Sequence, residues 1–199
     1  MVTAMSTSPT HALARRDVVA KLLEHRGDAL VVTGLGSPTY DVHAAGDRDD
    51  NFYLWGAMGG AALVGLGLAQ AQPGKRVLVI TGDGEQLMAF GGLATIAVAK
   101  PRNLTIVVID NHHYGETGMQ LSHTGRGIDL AKVAAACGFA EASTLTTMES
   151  VGAICAEADG PRLFVIKVAA DAPPRSLPSR DAVHVKNRFR AHLGLGSAP

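Results

Sequence analysis

Two apolar runs in this chain each end in a short polar signature, and together they restrict the fold more than any other feature. Val77-Leu78-Val79-Ile80 leads into Gly82-Asp83-Gly84, and after 25 further residues the run from Leu104 to Ile109 ends in Asp110-Asn111-His112-His113-Tyr114. Continuous apolar runs of this kind suit strands buried on both faces of a parallel sheet. Parallel strands bring their carboxyl ends to one edge, where open α/β sheets bind ligands, phosphorylated ones above all. Asp83 and Asn111 offer hard oxygens suited to Mg²⁺, which takes few protein ligands and completes its octahedron with water and phosphate oxygens. Gly84 lets backbone N–H groups approach a diphosphate at an expected helix N-terminus. The residues themselves therefore point to a Mg²⁺-diphosphate site.

Strand-like runs alternate with helix-like segments along most of the chain, the pattern of an α/β fold with a doubly wound, mostly parallel sheet and helices on both faces. Helices are expected over residues 12–25, closed by Gly27, then after Ser37 and Pro38 as N-cap and first helical position, and over 58–72, 86–100, 129–138 and 147–158. Strands are expected over 29–33, 51–54, the two runs above, and 163–168. Gly59, Gly60, Gly65 and Gly67 fall within the helix expected at 58–72, where each costs up to ~1 kcal/mol relative to Ala. Such a helix should pack closely against the sheet, a cofactor or a second subunit. Residues 1–10 read as a flexible N-terminus and 11–170 as one domain. Residues 171–199 read as a tail whose basic amphipathic stretch, 183–193, is either solvated or docked on a partner subunit.

Lys+Arg and Asp+Glu balance at 18 each, so there is no electrostatic case for nucleic acid. No apolar run approaches the ~18 residues of a membrane span. The opening residues MVTAMSTSPTH lack the apolar core of a signal peptide, and a cytoplasmic location is expected. Cys137 and Cys155 form no CxxC pair and read as buried thiols.

The GDG triplet followed at this distance by Asp110-Asn111 resembles the signature of thiamine diphosphate (ThDP) enzymes, which carry an Asn pair at the second position. Asn111 matches the second Asn, the metal ligand of the decarboxylase branch, whereas Asp110 departs from the first. The resemblance implies Mg²⁺ held by Asp83, Asn111 and the backbone carbonyl of His113. It implies cofactor contacts from Gly34, Ser37, Gly82, Gly84, Glu85, Tyr114, Gly115 and Glu116. Met58, 25 positions before Asp83, matches the large apolar residue that wedges beneath the cofactor and imposes its V-shape, while the Gly56 carbonyl accepts from the 4′-amino group. The ordinary role of a lone methionine is core packing, and helix capping alone accounts for Ser37.

Residues 51–59, 92–97, 100–105, 110–120 and 129–134, with Cys137-Gly138-Phe139, are similar to the sulfopyruvate decarboxylase β subunit and the C-terminal half of phosphonopyruvate decarboxylase. This family implies a diphosphate-binding (PP) domain and a lyase that decarboxylates a small 2-oxo acid. It also includes split enzymes, in which a separate pyrimidine-binding (PYR) domain α subunit supplies the glutamate that promotes the ylid. An α2β2 or higher assembly follows from sites formed between domains of different chains. About ten residues precede the first expected helix. Glu24, Glu85 and Glu116 stand in the wrong places for the missing glutamate, so half an active site is expected.

His112, His113, Tyr114, Thr117 and His123 cluster after the Asn111 strand, and His112 is the first candidate for proton transfer to the product, set against a merely hydrogen-bonded surface histidine. Arg126 is a candidate for an anionic head group, or a solvent-facing loop residue. Ala57, His112, Glu116 and Met119 depart from the small residues usual in the family and leave the substrate open. The alternatives are a ThDP lyase or carboligase related to acetolactate synthase, and a non-catalytic ThDP-binding module. A dinucleotide-binding protein is disfavoured because Gly34-Leu35-Gly36 lacks the third glycine of GxGxxG.

Overall fold

Six parallel strands run through the centre of the computed structural model, which describes residues 12–155 and 159–196. The flexible N-terminus expected at 1–10 lies outside the described residues, as does the end of the helix expected at 147–158. In chain order the elements are α1 (Arg15–Glu24), β1 (Leu30–Thr33), α2 (Ser37–Ala44), β2 (Asn51–Tyr53), α3 (Ala61–Ala71), β3 (Val77–Gly82), α4 (Asp83–Met88), α5 (Gly92–Ala99), β4 (Leu104–Asp110), β5 (His113–Tyr114), β6 (Gln120–Leu121), α6 (Leu130–Cys137), β7 (Glu141–Leu145), α7 (Met148–Ala153), β8 (Arg162–Lys167) and α8 (Ala182–His192).

The sheet order is β2-β1-β3-β4-β8-β7 with every neighbour parallel, and β5 and β6 form a separate antiparallel hairpin. Alternate residues of β3 and β4 enter two cores. Val79, Ile106 and Val108 pack under Leu66, Ile96 and Leu130 of α3, α5 and α6. Leu78, Ile80 and Val107 pack on the other face against Val18, Leu22, Val42 and Val151 of α1, α2 and α7. Burial on both faces is why these strands read as continuous apolar runs. The chain leaves β1 for β2 on one side and returns through α3 to β3 on the other, which makes the gap between β1 and β3 the topological switch point.

Several local expectations are revised. Helix α3 begins at Ala61, and Met58, Gly59 and Gly60 form a turn before it, with Gly59 at φ 92°. Close helix–sheet packing holds at Gly65, where a Cβ would come within 2.3 Å of Val79 Cγ2. The helix expected over 86–100 is two helices broken at residues 89–91. Gly36 at φ 99°, not Ser37, caps α2, and the Ser37 hydroxyl makes no capping bond. Strand β7 and the β5–β6 hairpin were not anticipated. The β7 sequence EASTL is polar and half exposed at the sheet edge, and the hairpin strands are two residues each. Beyond β8 the chain runs over α2 to α8, which packs on the β2 edge through Val185 and Phe189, the latter ring 5.5 Å from Phe52. Among the described residues no helix is long and apolar enough to cross a membrane.

Candidate functional site

A cavity of about 200 Å³ opens at the carboxyl ends of β1, β3 and β4, over the switch point. Of the residues expected to bind a ligand, Ser37, Met58, Gly82, Asp83, Gly84, Glu85, Asn111, His113, Tyr114, Gly115 and Glu116 line it, while Gly34, Gly56 and His112 do not. A larger cavity of about 310 Å³ lies at the amino ends of the strands, between Arg76, Arg102 and Arg162. The carboxyl-end cavity is the stronger candidate, because it alone gathers acidic and amide oxygens at the switch point.

Asp83 begins α4 and is 2% exposed. Its Oδ2 faces the Ser122 hydroxyl at 2.5 Å and the Thr124 hydroxyl at 3.1 Å, and among the described residues it forms no ion pair. Burial pushes its carboxyl pKa up, although the Ser122 hydrogen bond opposes this. Thr124 also reaches Asp110 Oδ1 at 2.8 Å and Ser122 Oγ at 2.8 Å. Each hydroxyl has a single hydrogen, so these contacts cannot all be donated at once. Asp83 is thus a buried carboxyl that no cation among the described residues pairs with. Asp110, fully buried at the adjacent strand end, differs in that Lys167 of β8 pairs with it.

The loop after β4 is shaped by two successive side-chain-to-backbone turns. His112 N–H donates to Asp110 Oδ1 at 2.9 Å, and His113 N–H donates to Asn111 Oδ1 at 2.9 Å. This holds His112 at φ 64°, in the left-handed region that non-glycine residues rarely adopt. The His112 carbonyl accepts from Ser122 N–H at 2.8 Å, which fastens β6 beneath the loop. The His112 ring is half exposed, with Nε2 3.8 Å from Asp110 Oδ1. Tyr114 Oη contacts His123 Nδ1 at 2.5 Å and lies over the start of α4, where a Cβ on Gly84 would come within 2.8 Å of its ring. Glu116, above Gly36, pairs with Arg175 at 3.3 Å, and the Arg175 guanidinium lies over the Tyr40 ring at 5.4 Å. Arg126 is exposed and stands outside the cavity lining.

Glu85 is also 2% exposed, and its carboxylate turns toward backbone N–H groups and the Thr81 hydroxyl. Sequence reasoning missed Ser122, Thr124, Lys167, Thr81 and Arg175. The hydroxyls have no spacing relation to Asp83, but Lys167 had a signal: two adjacent apolar runs each end in a charge, and Asp110 and Lys167 are register partners.

Among the described residues no three His, Cys, Asp or Glu side chains gather around a common point. A cation at Asp83 would therefore rest on one carboxylate together with amide and carbonyl oxygens from the β4 loop. That donor set suits Mg²⁺, which keeps water and phosphate oxygens in its shell, better than the softer metals that need imidazole or thiolate.

Residues 39–168 match the family model described as thiamine pyrophosphate enzyme, C-terminal TPP binding domain. The chain is 42% identical over 134 residues to sulfopyruvate decarboxylase subunit beta of Methanocaldococcus jannaschii, covering 67% of this chain and 69% of that one. It is 37% identical over 193 residues to phosphonopyruvate decarboxylase of Streptomyces viridochromogenes, covering 93% of this chain but 46% of that protein, so it spans less than half of this relative. Among solved structures it is similar to the thiamine diphosphate-dependent 4-hydroxybenzoylformate decarboxylase of Rhodococcus jostii, with a TM-score of 0.66, 18% identity, and coverage of 86% of this chain and 35% of that one. At that identity the likeness speaks to the fold.

Proposed function

The chain belongs to the thiamine pyrophosphate enzymes, as their C-terminal TPP binding domain, and on that premise we propose that it is the ThDP- and Mg²⁺-binding β subunit of a split, cytoplasmic 2-oxo acid decarboxylase. The substrate class is a sulfopyruvate- or phosphonopyruvate-type acid, by analogy with the two decarboxylases it resembles. The observation that carries this reading is the buried Asp83 carboxylate, without a cation of its own, at the switch-point cavity. Asp83, Asn111 and the carbonyl of His113 would hold Mg²⁺. Gly82, Gly84, Ser37, Tyr114, Gly115 and Glu116 would surround the diphosphate.

When bound, ThDP supplies the carbon nucleophile and the electron sink for loss of CO₂ from a 2-oxo acid. The chain's own residues bind and orient. Met58, facing the cavity from the turn before α3, would support the bent cofactor. Gly56, exposed at φ 76° outside the cavity lining, would offer its carbonyl to the 4′-amino group where a second subunit covers it. His112, fixed through its backbone by Asp110 with its ring open to solvent, would return a proton to the product. The subunit designation of the M. jannaschii relative supports a separate α subunit. In this proposal its PYR domain supplies the activating glutamate, in an α2β2 or larger assembly.

Calorimetry with ThDP, with and without Mg²⁺, and assays on sulfopyruvate, phosphonopyruvate and pyruvate, with and without the α subunit, test the proposal. Mg²⁺-dependent binding with turnover only in the two-subunit mixture is the expected result. Robust decarboxylation by this chain alone would overturn the split-site reading, and no Mg²⁺-dependent binding even with the partner would overturn the cofactor reading.

A further inference from the structure

We propose that Glu85 is a positioning residue whose buried carboxyl ties three separate segments of the cofactor cavity into one unit; its relevance to the cofactor rests on the function proposed above. Glu85 sits in the first turn of α4 and is 2% exposed. Its Oε2 accepts from the Thr81 hydroxyl at 2.9 Å, and its Oε1 accepts from Gly59 N–H at 3.2 Å. The backbone amides of Leu35 and Ala61 lie near the carboxylate and favour its charged form, against the burial that pushes its pKa up. These donors come from the loop after β1, the segment joining β2 to α3, and β3 itself. Two hydrogen bonds and two neighbouring amides thus surround the carboxylate with donors.

Both hydrogen bonds run to the protein itself, so the side chain acts through the segments it holds. Two of these segments carry cavity residues: Leu35 and Ser37 follow β1, and Met58 immediately precedes Gly59. The position of Met58 relative to Asp83 is thereby set through Glu85. The fold makes room for this arrangement at Gly34, where a Cβ would lie 1.8 Å from Glu85 Oε2. This gives Gly34, which does not line the cavity, a role of its own. A neutral amide substitutes poorly, because its NH₂ group can donate to the Thr81 hydroxyl but would also be turned against the neighbouring backbone N–H groups.

Amide-resolved hydrogen exchange on the full chain, without cofactor, tests the clamp directly. In Glu85→Ala the amides of Leu35, Gly59 and Ala61 should exchange at least about tenfold faster, as expected for loss of bonds to a charged acceptor, while the amides of β4 stay protected. Formate should restore protection at those three amides, and Glu85→Gln should not. Should Glu85→Ala fail to fold, Thr81→Val, which removes one of the two hydrogen bonds, should still speed exchange at the same three amides by a smaller factor. In ThDP titrations with the α subunit present, Glu85→Ala should weaken ThDP binding about tenfold, the same loss of bonds to a charged acceptor now felt through the loosened segments, and leave the affinity for Mg²⁺ alone unchanged. Unchanged exchange at the three amides, uniform acceleration across the sheet that formate does not reverse, or full protection in Glu85→Gln would each overturn the proposal. Because the exchange arm contains no cofactor, it stands even if the wild-type chain binds no ThDP, in which case only the function reading falls.

Discussion

The acidic groups around β2, buried Asp50 and the partly exposed Asp47, and the buried pair after β3 are treated in opposite ways. Before β2, Asp50 is 1% exposed and meets the guanidinium groups of Arg26 and Arg48, while Asp47 receives two bonds from Arg188. After β3, Asp83 and Glu85 meet only hydroxyl and N–H groups among the described residues. Burial pushes all four carboxyls up, but bonds from arginine outweigh it at Asp50 and Asp47, which end below the usual carboxylate range, whereas Asp83 and Glu85 end above it. Cations nearby are not sufficient by themselves, since Asp41 stays raised by burial beside Arg15 and Arg16. A buried charge is costly unless paired. The edge cluster is therefore paired within the chain, whereas Glu85 leans on hydroxyl and backbone donors and Asp83, on the function proposed above, is left to a ligand.

Breaking the complete cluster should have the largest effect. Arg26 is 1% exposed and bonds both Asp50 and Asn51, so Arg26→Met leaves Asp50 with only the half-exposed Arg48. The expected loss is about 3 kcal/mol, the scale for removing one partner of a buried pair, measured by urea denaturation. Asp83→Asn should behave in the opposite way. Without metal its stability should equal or exceed that of the wild type, whereas Mg²⁺-dependent ThDP binding should weaken about 100-fold, equivalent to about 2.8 kcal/mol. Thermal melts with and without Mg²⁺ separate the two, and the contrast fails if Asp83→Asn destabilises the metal-free chain as much as Arg26→Met does.

What the sequence reveals of these two regions follows from the range of the interactions. The ends of β3 and β4 were legible because an apolar run and its terminal oxygens lie within a few residues of each other, and the parallel sheet converts that adjacency into one edge. Ser122 and Thr124 were not legible, because they reach Asp83 across 39 and 41 residues from the short turn after the β5–β6 hairpin, which leaves no periodic pattern. Strand β7 was missed because an edge strand with half-exposed polar residues has no apolar run to announce it. The helix expected from residue 58 overran its true start because a Gly-rich turn with apolar neighbours shares the composition of a tightly packed helix. Glu85 could be assigned to the cavity end of α4, but not to the clamp, which depends on three segments meeting.

Asp110 lies between the two regimes, at the site but paired, and a double-mutant cycle sharpens what that means. Lys167→Met should destabilise by about 2 kcal/mol, since it leaves a second uncompensated carboxylate near Asp83. Asp110→Asn, which installs the residue usual in the ThDP signature, should remove most of that penalty, with a coupling of about 1–2 kcal/mol for groups in contact. Additive effects in urea denaturation would mean that Lys167 does not act through Asp110.

The smallest effect concerns the rim of the edge cluster, where Asp47 is one-third exposed and Arg188 docks α8. Burial raises the Asp47 carboxyl, but the Arg188 and Tyr53 hydrogen bonds hold it below its ordinary value of 3.8. A carboxyl lowered in the folded state contributes stability above its unfolded pKa and loses that contribution as pH falls through the folded one, so α8 should loosen only below about pH 4. The chain has a single tryptophan, Trp55, whose Nε1 donates to the Ser179 carbonyl at 2.8 Å and whose ring lies 5.7 Å from the Arg180 guanidinium, so its emission reports the segment leading into α8. Arg188→Ala should cost about 1 kcal/mol, as expected for a partly exposed pair, and shift Trp55 emission toward its acid value already at neutral pH. If the emission of wild type and variant fell together with the global unfolding transition, α8 would be part of the cooperative core, and the division between an internally completed edge and a ligand-completed site would have to be drawn elsewhere.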